Sequence, residues 1–211
     1  MRISSKMVAA MAILGCWSCL VVHRIMAQSQ PTTSELVQKL HSDKTTDDAR
    51  KQLLQHGKSN PDVRHYLAVQ LPPLIGLGPK SCPPSDIVDL AARWHACPWY
   101  NAVELSGKLK IAEVASALAS WINWRSEGPF LPTLEVQLIF HPAAKALAEI
   151  GDPAISTLQR VLNSGNSEEH ARAVRVLCII HTPKAKAVLR VNLPRESDPD
   201  LQAMIKNVLR E

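Results

Sequence analysis

Apolar residues recur at helical spacing in short blocks along most of the chain, and the blocks are separated by proline or glycine. Thr46, Asp47 and Asp48 open a segment that runs to about residue 56, with Leu53 and Leu54 as its apolar positions and Gly57 as its stop. Asn60-Pro61 places a cap and a first-turn proline before residues 62–71, and Pro72-Pro73 is expected to end that helix. Residues 76–84 read as a loop, Ser85 with Asp86 caps a helix running towards Cys97, and Pro98 breaks it. Residues 99–107 and 111–123 form another helix pair, followed by a loop over 124–132. Residues 133–141 stay ambiguous between strand and helix or irregular chain, because Leu134, Val136 and Leu138 alternate. Beyond them the pattern is most regular: helices over 142–150, 153–162, 168–180, 183–193 and 199–210, punctuated by Gly151, Asn163 and Pro194.

Two of these units superpose without a gap at an offset of 30 residues. Ala143, Leu147, Ile150, Pro153, Leu158 and Val161 fall on Ala173, Leu177, Ile180, Pro183, Val188 and Val191. A looser copy sits about 40 residues upstream, at Ala102, Val103, Leu109, Leu118 and Ile122. One helix pair cannot bury its apolar stripe alone, so successive pairs must share a core. Residues 168–180 carry too many apolar positions for one stripe, which implies cover on more than one side, with Arg172 and Arg175 as the polar stripe. Scarce glycine (8), 15 prolines and few Phe or Tyr agree with an all-α chain.

The repeat resembles the HEAT-like repeat superfamily in its short form of roughly 30 residues. The resemblance is carried by Pro142-Ala143-Ala144-Lys145-Ala146-Leu147-Ala148-Glu149-Ile150-Gly151-Asp152-Pro153-Ala154, and by the openings Asp62-Val63-Arg64 and Glu169-His170-Ala171-Arg172. It covers residues 102–211 clearly and 34–75 more faintly. It implies an α-solenoid of stacked antiparallel helix pairs whose common role is binding another protein. The iron-dependent hydroxylases of that superfamily are marked by His-Glu dipeptides, which this chain lacks; the bilin-lyase branch finds no support beyond the repeat itself. No G-x-S-x-G elbow and no G-x-x-x-x-G-K-[ST] loop occurs either, so the expectation is no enzyme and no cofactor.

Residues 1–27 read as a secretory signal: Arg2 and Lys6, a 16-residue apolar run over 7–22, and Ile25-Met26-Ala27 before the cut. An uncleaved anchor is one alternative, and lipidation at Cys16 in Ile13-Leu14-Gly15-Cys16 is the other. Residues 28–33 are then a polar tail and 34–211 the repeat domain. Removing Arg2, Lys6 and Arg24 turns a net charge of +5 into 21 basic against 19 acidic residues, or +2. That value favours no nucleic-acid partner, and a membrane enters only through the leader or a lipid. Export in this form implies a periplasmic or extracellular protein.

Three cysteines remain, Cys82, Cys97 and Cys178. A Cys82–Cys97 disulfide would contribute roughly 3 kcal/mol. A straight helix over 85–97 would hold the two Cα atoms apart by about 7.5 Å, beyond the ~6.8 Å limit, so the bond requires that helix to end early. Cys82, His95 and Cys97 lack the fourth ligand and paired spacing of a zinc site.

Seven of the eight aromatic residues after the leader lie between Trp94 and Phe140. Trp94, Trp99, Trp121 and Trp124 therefore form either a groove for a peptide or sugar face, or a local core where the repeat is least regular. Residues 153–195 hold seven basic residues against Glu168 and Glu169. Arg172, Arg175, Lys186 and Arg190 are the candidate contacts there for an acidic partner, the alternative being an ordinary solvated face.

Overall fold

A computed structural model describes residues 31–41, 46–82, 96–126 and 138–210. The leader, residues 28–30 of the polar tail, residues 85–95 of the expected helix with Trp94 and His95, and most of the ambiguous segment 133–141 lie outside the described residues. Within them the chain is all-helical, with ten α-helices, short 3-10 turns and no strand. No helix among them is long and apolar enough to cross a membrane.

The helices are α1 (Thr33–Lys39), α2 (Thr46–Ser59), α3 (Pro61–Leu77), α4 (Pro98–Lys108) and α5 (Ala115–Ala119), then α6 (Pro142–Ile150), α7 (Ile155–Ser164), α8 (Ser167–Ile180), α9 (Pro183–Asn192) and α10 (Pro199–Arg210). Residues up to Glu35 form one unit, and Leu36–Glu211 a second that holds α2 to α10. In the first, the Thr32 hydroxyl accepts the Glu35 N–H and the Glu35 carboxylate accepts the Thr32 N–H, a reciprocal cap for α1.

Helix starts follow local chemistry. The Asn60 side chain accepts the Asp62 N–H at 2.9 Å, and Pro61 at the first helical position loses nothing by lacking an N–H. Thr182 and Pro183 open α9 in the same way. Asn166 and Glu169 form a capping box on α8. The Asn123 amide, turned so that its nitrogen faces Glu168 O, adds a second hold on that first turn.

Several expected stops are not stops. Pro98 is the first residue of α4, what precedes residue 96 lying outside the described residues, and α2 passes through Gly57 to Ser59. Pro72 and Pro73 lie inside α3, which continues to Leu77. Pro73 removes the hydrogen bond to the Val69 carbonyl, but both residues face solvent, where water replaces it. Carrying the helix onward buries Leu74 and Ile75, which offsets the loss. In the other direction, the helix expected over 111–123 shrinks to a 3-10 turn and the five residues of α5.

Packing within Leu36–Glu211 has one rule: helices two apart in the chain touch. α2 packs on α4, α4 on α6, α6 on α8 and α8 on α10; equally, α3 packs on α5, α5 on α7 and α7 on α9. α8 touches α6, α7, α9 and α10, so Ala173, Val174, Val176 and Leu177 are all fully buried. Positions one repeat apart meet directly, as where the Thr182 hydroxyl donates to the Asp152 carboxylate and Lys184 Nζ lies 3.8 Å from it. Val191, equivalent to the half-buried Val161, is 65% exposed.

Charged pairs cross the same seams. Buried Arg50 of α2 donates to Glu104 of α4 at 2.7 Å, and Lys108 of α4 to Glu149 of α6 at 2.8 Å. His170 of α8 bridges the Leu162 carbonyl at 3.1 Å and the Glu196 carboxylate at 2.9 Å. Burial works to raise the Glu196 carboxyl, but the Asp198 N–H, His170 and the Ser197 N–H outweigh it and hold that carboxyl low.

Candidate functional site

The aromatic and the basic candidates are adjacent in space, joined by the short stretches 124–126 and 138–141. The aromatic side is built on Cys97. This residue caps α4, its Sγ accepting the Tyr100 N–H at 3.2 Å, and it is disulfide-bonded to Cys82 with Cα atoms 4.3 Å apart. No helix holds the two apart at this end, because residues 96 and 97 are a turn and a cap. Trp99 follows two residues later and is fully buried. Trp121 and Trp124 meet its ring edge-on, with centroids 6.3 and 4.8 Å away. On the other side, Gly78 has φ of +70°, and a Cβ there would lie 2.3 Å from the Trp121 ring.

Trp99 is therefore a core residue and cannot line an open groove. Trp121 and Trp124 are half-buried against it, although the helix that was to align them has already ended. Their meeting comes from the turn after α5, not from helical spacing.

From Trp124 the cluster passes to His141, the buried residue that precedes α6. Its Nδ1 donates to the Trp124 carbonyl at 3.1 Å, since a carbonyl can only accept, and Nε2 then carries the lone pair. Burial, and next the charge of Arg172, push its pKa down to about 4; Arg125 and Arg175 add to this and the Trp124 carbonyl opposes it. The Ser126 N–H donates to the Phe140 carbonyl at 2.8 Å, and Arg125 lies 5.8 Å over the Phe140 ring. This pairing brings Arg125 beside the start of α6.

Arg172 is the other half of the site. It is one repeat after Pro142, so the packing of α8 on α6 carries it to the His141 end of that helix. It is half-buried, its Nε is fully enclosed with no hydrogen-bond partner among the described residues, and burial followed by Arg175 lowers its pKa to about 10. Arg172 and Arg175, expected as the polar stripe of α8, are both half-buried. Lys186 and Arg190 lie on α9, with Arg190 exposed, so the structure does not gather the four basic candidates around one centre.

His141 and Arg125 had not been singled out from sequence. The signal that could find His141 is the 30-residue offset, which sets Arg172 against Pro142; no such signal points to Arg125. Cys178 is buried, and its thiol is pushed up to about 12 by that burial, as suits an inert apolar packer. Among the described residues, no three His, Cys, Asp or Glu side chains gather as a metal would require.

Two clefts among the described residues lie away from Trp124, His141 and Arg172. One cleft of about 340 Å3 is lined by Arg64, His65, Lys110 and Glu113 among others. A second, of about 220 Å3 between α7 and α9, is lined by Leu162, Val188 and Val191 with Arg195 and Asn192. The chain matches no protein-family model, no curated protein and no solved structure.

Proposed function

We propose that the chain is an exported, non-catalytic HEAT-like repeat protein, an α-solenoid that serves as a scaffold for another protein. The observation that carries this is the packing of every second helix along Leu36–Glu211, with repeat-equivalent residues such as Asp152 and Thr182 in contact. Such stacking makes a chain whose core is continuous while its outer helix faces stay free for a partner. The basic residues of α9 fit an acidic partner surface. Their long-range attraction would be screened by salt, so association should slow as ionic strength rises.

Cross-linking in the native envelope followed by capture of the chain tests this. One extracytoplasmic protein should be recovered, and lost with Lys186→Glu/Arg190→Glu, two changes on α9 remote from the tryptophans. Recovery of no such protein, or recovery unaffected by the double change, refutes the scaffold through that face. The second reading, a peptide- or sugar-binding protein centred on the tryptophans, keeps only Trp121 and Trp124 of the described set as accessible rings. Quenching of tryptophan fluorescence by a soluble glycan or peptide would favour it.

A further inference from the structure

We infer that the cleft between the start of α3 and the end of α4 binds a small organic anion. Arg64 and Lys110 hold its phosphate or carboxylate group, and Glu113 accepts a hydroxyl or amine of its body. The cleft has a local origin. Pro61, Arg64 and His65 stand at i, i+3 and i+4 of α3, so they share one face of that helix. The opposite wall is the chain that leaves α4, with Leu109 and Ile111 buried and Lys110 and Glu113 at its surface. Packing of α3 on α4 and on the 3-10 turn Ala112–Val114 fixes the two walls relative to each other.

Two observations carry this. First, the Arg64, His65, Lys110 and Glu113 side chains make no hydrogen bond or ion pair among the described residues. All four are exposed, so a ligand reaches them without opening the fold. Arg64 and Lys110 repel each other across a cleft of about 340 Å3 until an anion enters. Second, Lys110 has φ of +53°. Its N–H donates to the Gly107 carbonyl at 3.0 Å and that of Ile111 to the Ser106 carbonyl at 2.9 Å, a cap whose left-handed residue is ordinarily glycine. A lysine there carries strain that glycine would avoid, and it sets an ammonium on the cleft wall.

The helix start supplies no nest of free N–H groups, because Pro61 lacks one and Asn60 accepts that of Asp62. Binding therefore falls to the side chains, the Arg64 fork and the Lys110 ammonium donating to the oxyanion. The volume matches small-molecule cavities, which start at roughly 300 Å3, and leaves more room than a bare ion fills. Glu113 would repel a bare anion but accepts from a hydroxyl or amine beside the charged group. No residue of α9 lines this cleft, so loss of partner capture and loss of anion binding are separate outcomes.

Thermal unfolding of the full chain tests this, with glycerol 3-phosphate, glycerate or inorganic phosphate against sodium chloride of matched ionic strength. Glycerol 3-phosphate or glycerate should raise the melting temperature in a saturable way. The more effective of the two identifies phosphate or carboxylate as the group held. Glycerol 3-phosphate should act at about tenfold lower concentration than inorganic phosphate, the worth of the bond to Glu113, and Glu113→Ala should remove that advantage. Arg64→Gln should weaken binding about tenfold as well. Lys110→Gly should raise the melting temperature without ligand by about 2–4 °C, by relieving the left-handed backbone, and yet abolish the ligand increment. Lys206→Gln, on the exposed face of α10, should change neither. If neither organic anion gives a saturable rise, or if inorganic phosphate acts as well as glycerol 3-phosphate, the cleft is only a charged surface and the proposal fails. It fails equally if Lys110→Gly lowers the melting temperature or leaves the ligand increment intact, since the lysine then serves the fold or nothing.

Discussion

Acid should weaken this fold through His141 before it does so through any carboxylate. In the unfolded chain the imidazole titrates near 6.5, whereas in the fold burial and the neighbouring arginines hold it at about 4. The unfolded state therefore binds a proton that the folded state refuses. The stability this contributes is complete above about pH 6.5 and declines as pH falls towards the folded value. A shift of this size corresponds to about 3 kcal/mol at neutral pH, of which about 2.5 kcal/mol is gone by pH 4.5. Glu196 behaves differently. Its depressed carboxyl contributes stability above its ordinary value of 4.5 and loses it only below, so the interval from pH 4.5 to 6.5 separates the two. The perturbation to pair with pH is His141→Asn, whose amide can still donate to the Trp124 carbonyl but cannot titrate. Urea unfolding of both proteins at pH 7, 6, 5 and 4.5 should show the wild type losing about 2.5 kcal/mol more than the variant across that range. Parallel curves would falsify the assignment of a buried, neutral imidazole among cations.

Gly107→Ala tests the close approach of α4 to α6, because a Cβ there would lie 2.9 Å from the Ala146 Cα and 2.5 Å from a Glu149 oxygen. Ordinarily this change favours a helix, but here α4 and α6 must part, and a loss of about 1–3 kcal/mol is expected in thermal or urea unfolding. A gain in stability would mean the two helices are not in contact at that point. Cys82→Ser removes the disulfide while leaving the Cys97 cap in place, and should cost about 3 kcal/mol under oxidising conditions. Reduced wild type should match the variant, and a difference that survives reduction would point to some role of Cys82 other than the bond.

Much of the architecture was legible in local chemistry. Caps such as Asn60-Pro61 and Asn166–Glu169, and the terminal Gly151, act within one helical turn, so their meaning survives without a tertiary context. The 30-residue offset was equally visible, because equivalent positions face equivalent neighbours. Pro72-Pro73 misled for the opposite reason. A proline's local cost is fixed, but whether a helix bears it depends on what the following residues bury, and Leu74 and Ile75 bury against elements distant in sequence.

The site shows the same division. Clustering of tryptophans and of basic residues could be counted along the chain, yet which indole lies inside and which arginine loses its water are properties of packing. Trp99 is in the core because Trp121 and Trp124 return to it from the turn after α5. Arg172 meets His141 because α8 lies against α6, over a separation that periodicity alone does not measure. By itself, then, the sequence determined the all-helical class and the caps, which are set by interactions within a few residues. Only the tertiary structure decided that both arginines of the α8 stripe would be half-buried and Arg172 set beside a neutral histidine, because desolvation is imposed by neighbours and not by the residue itself.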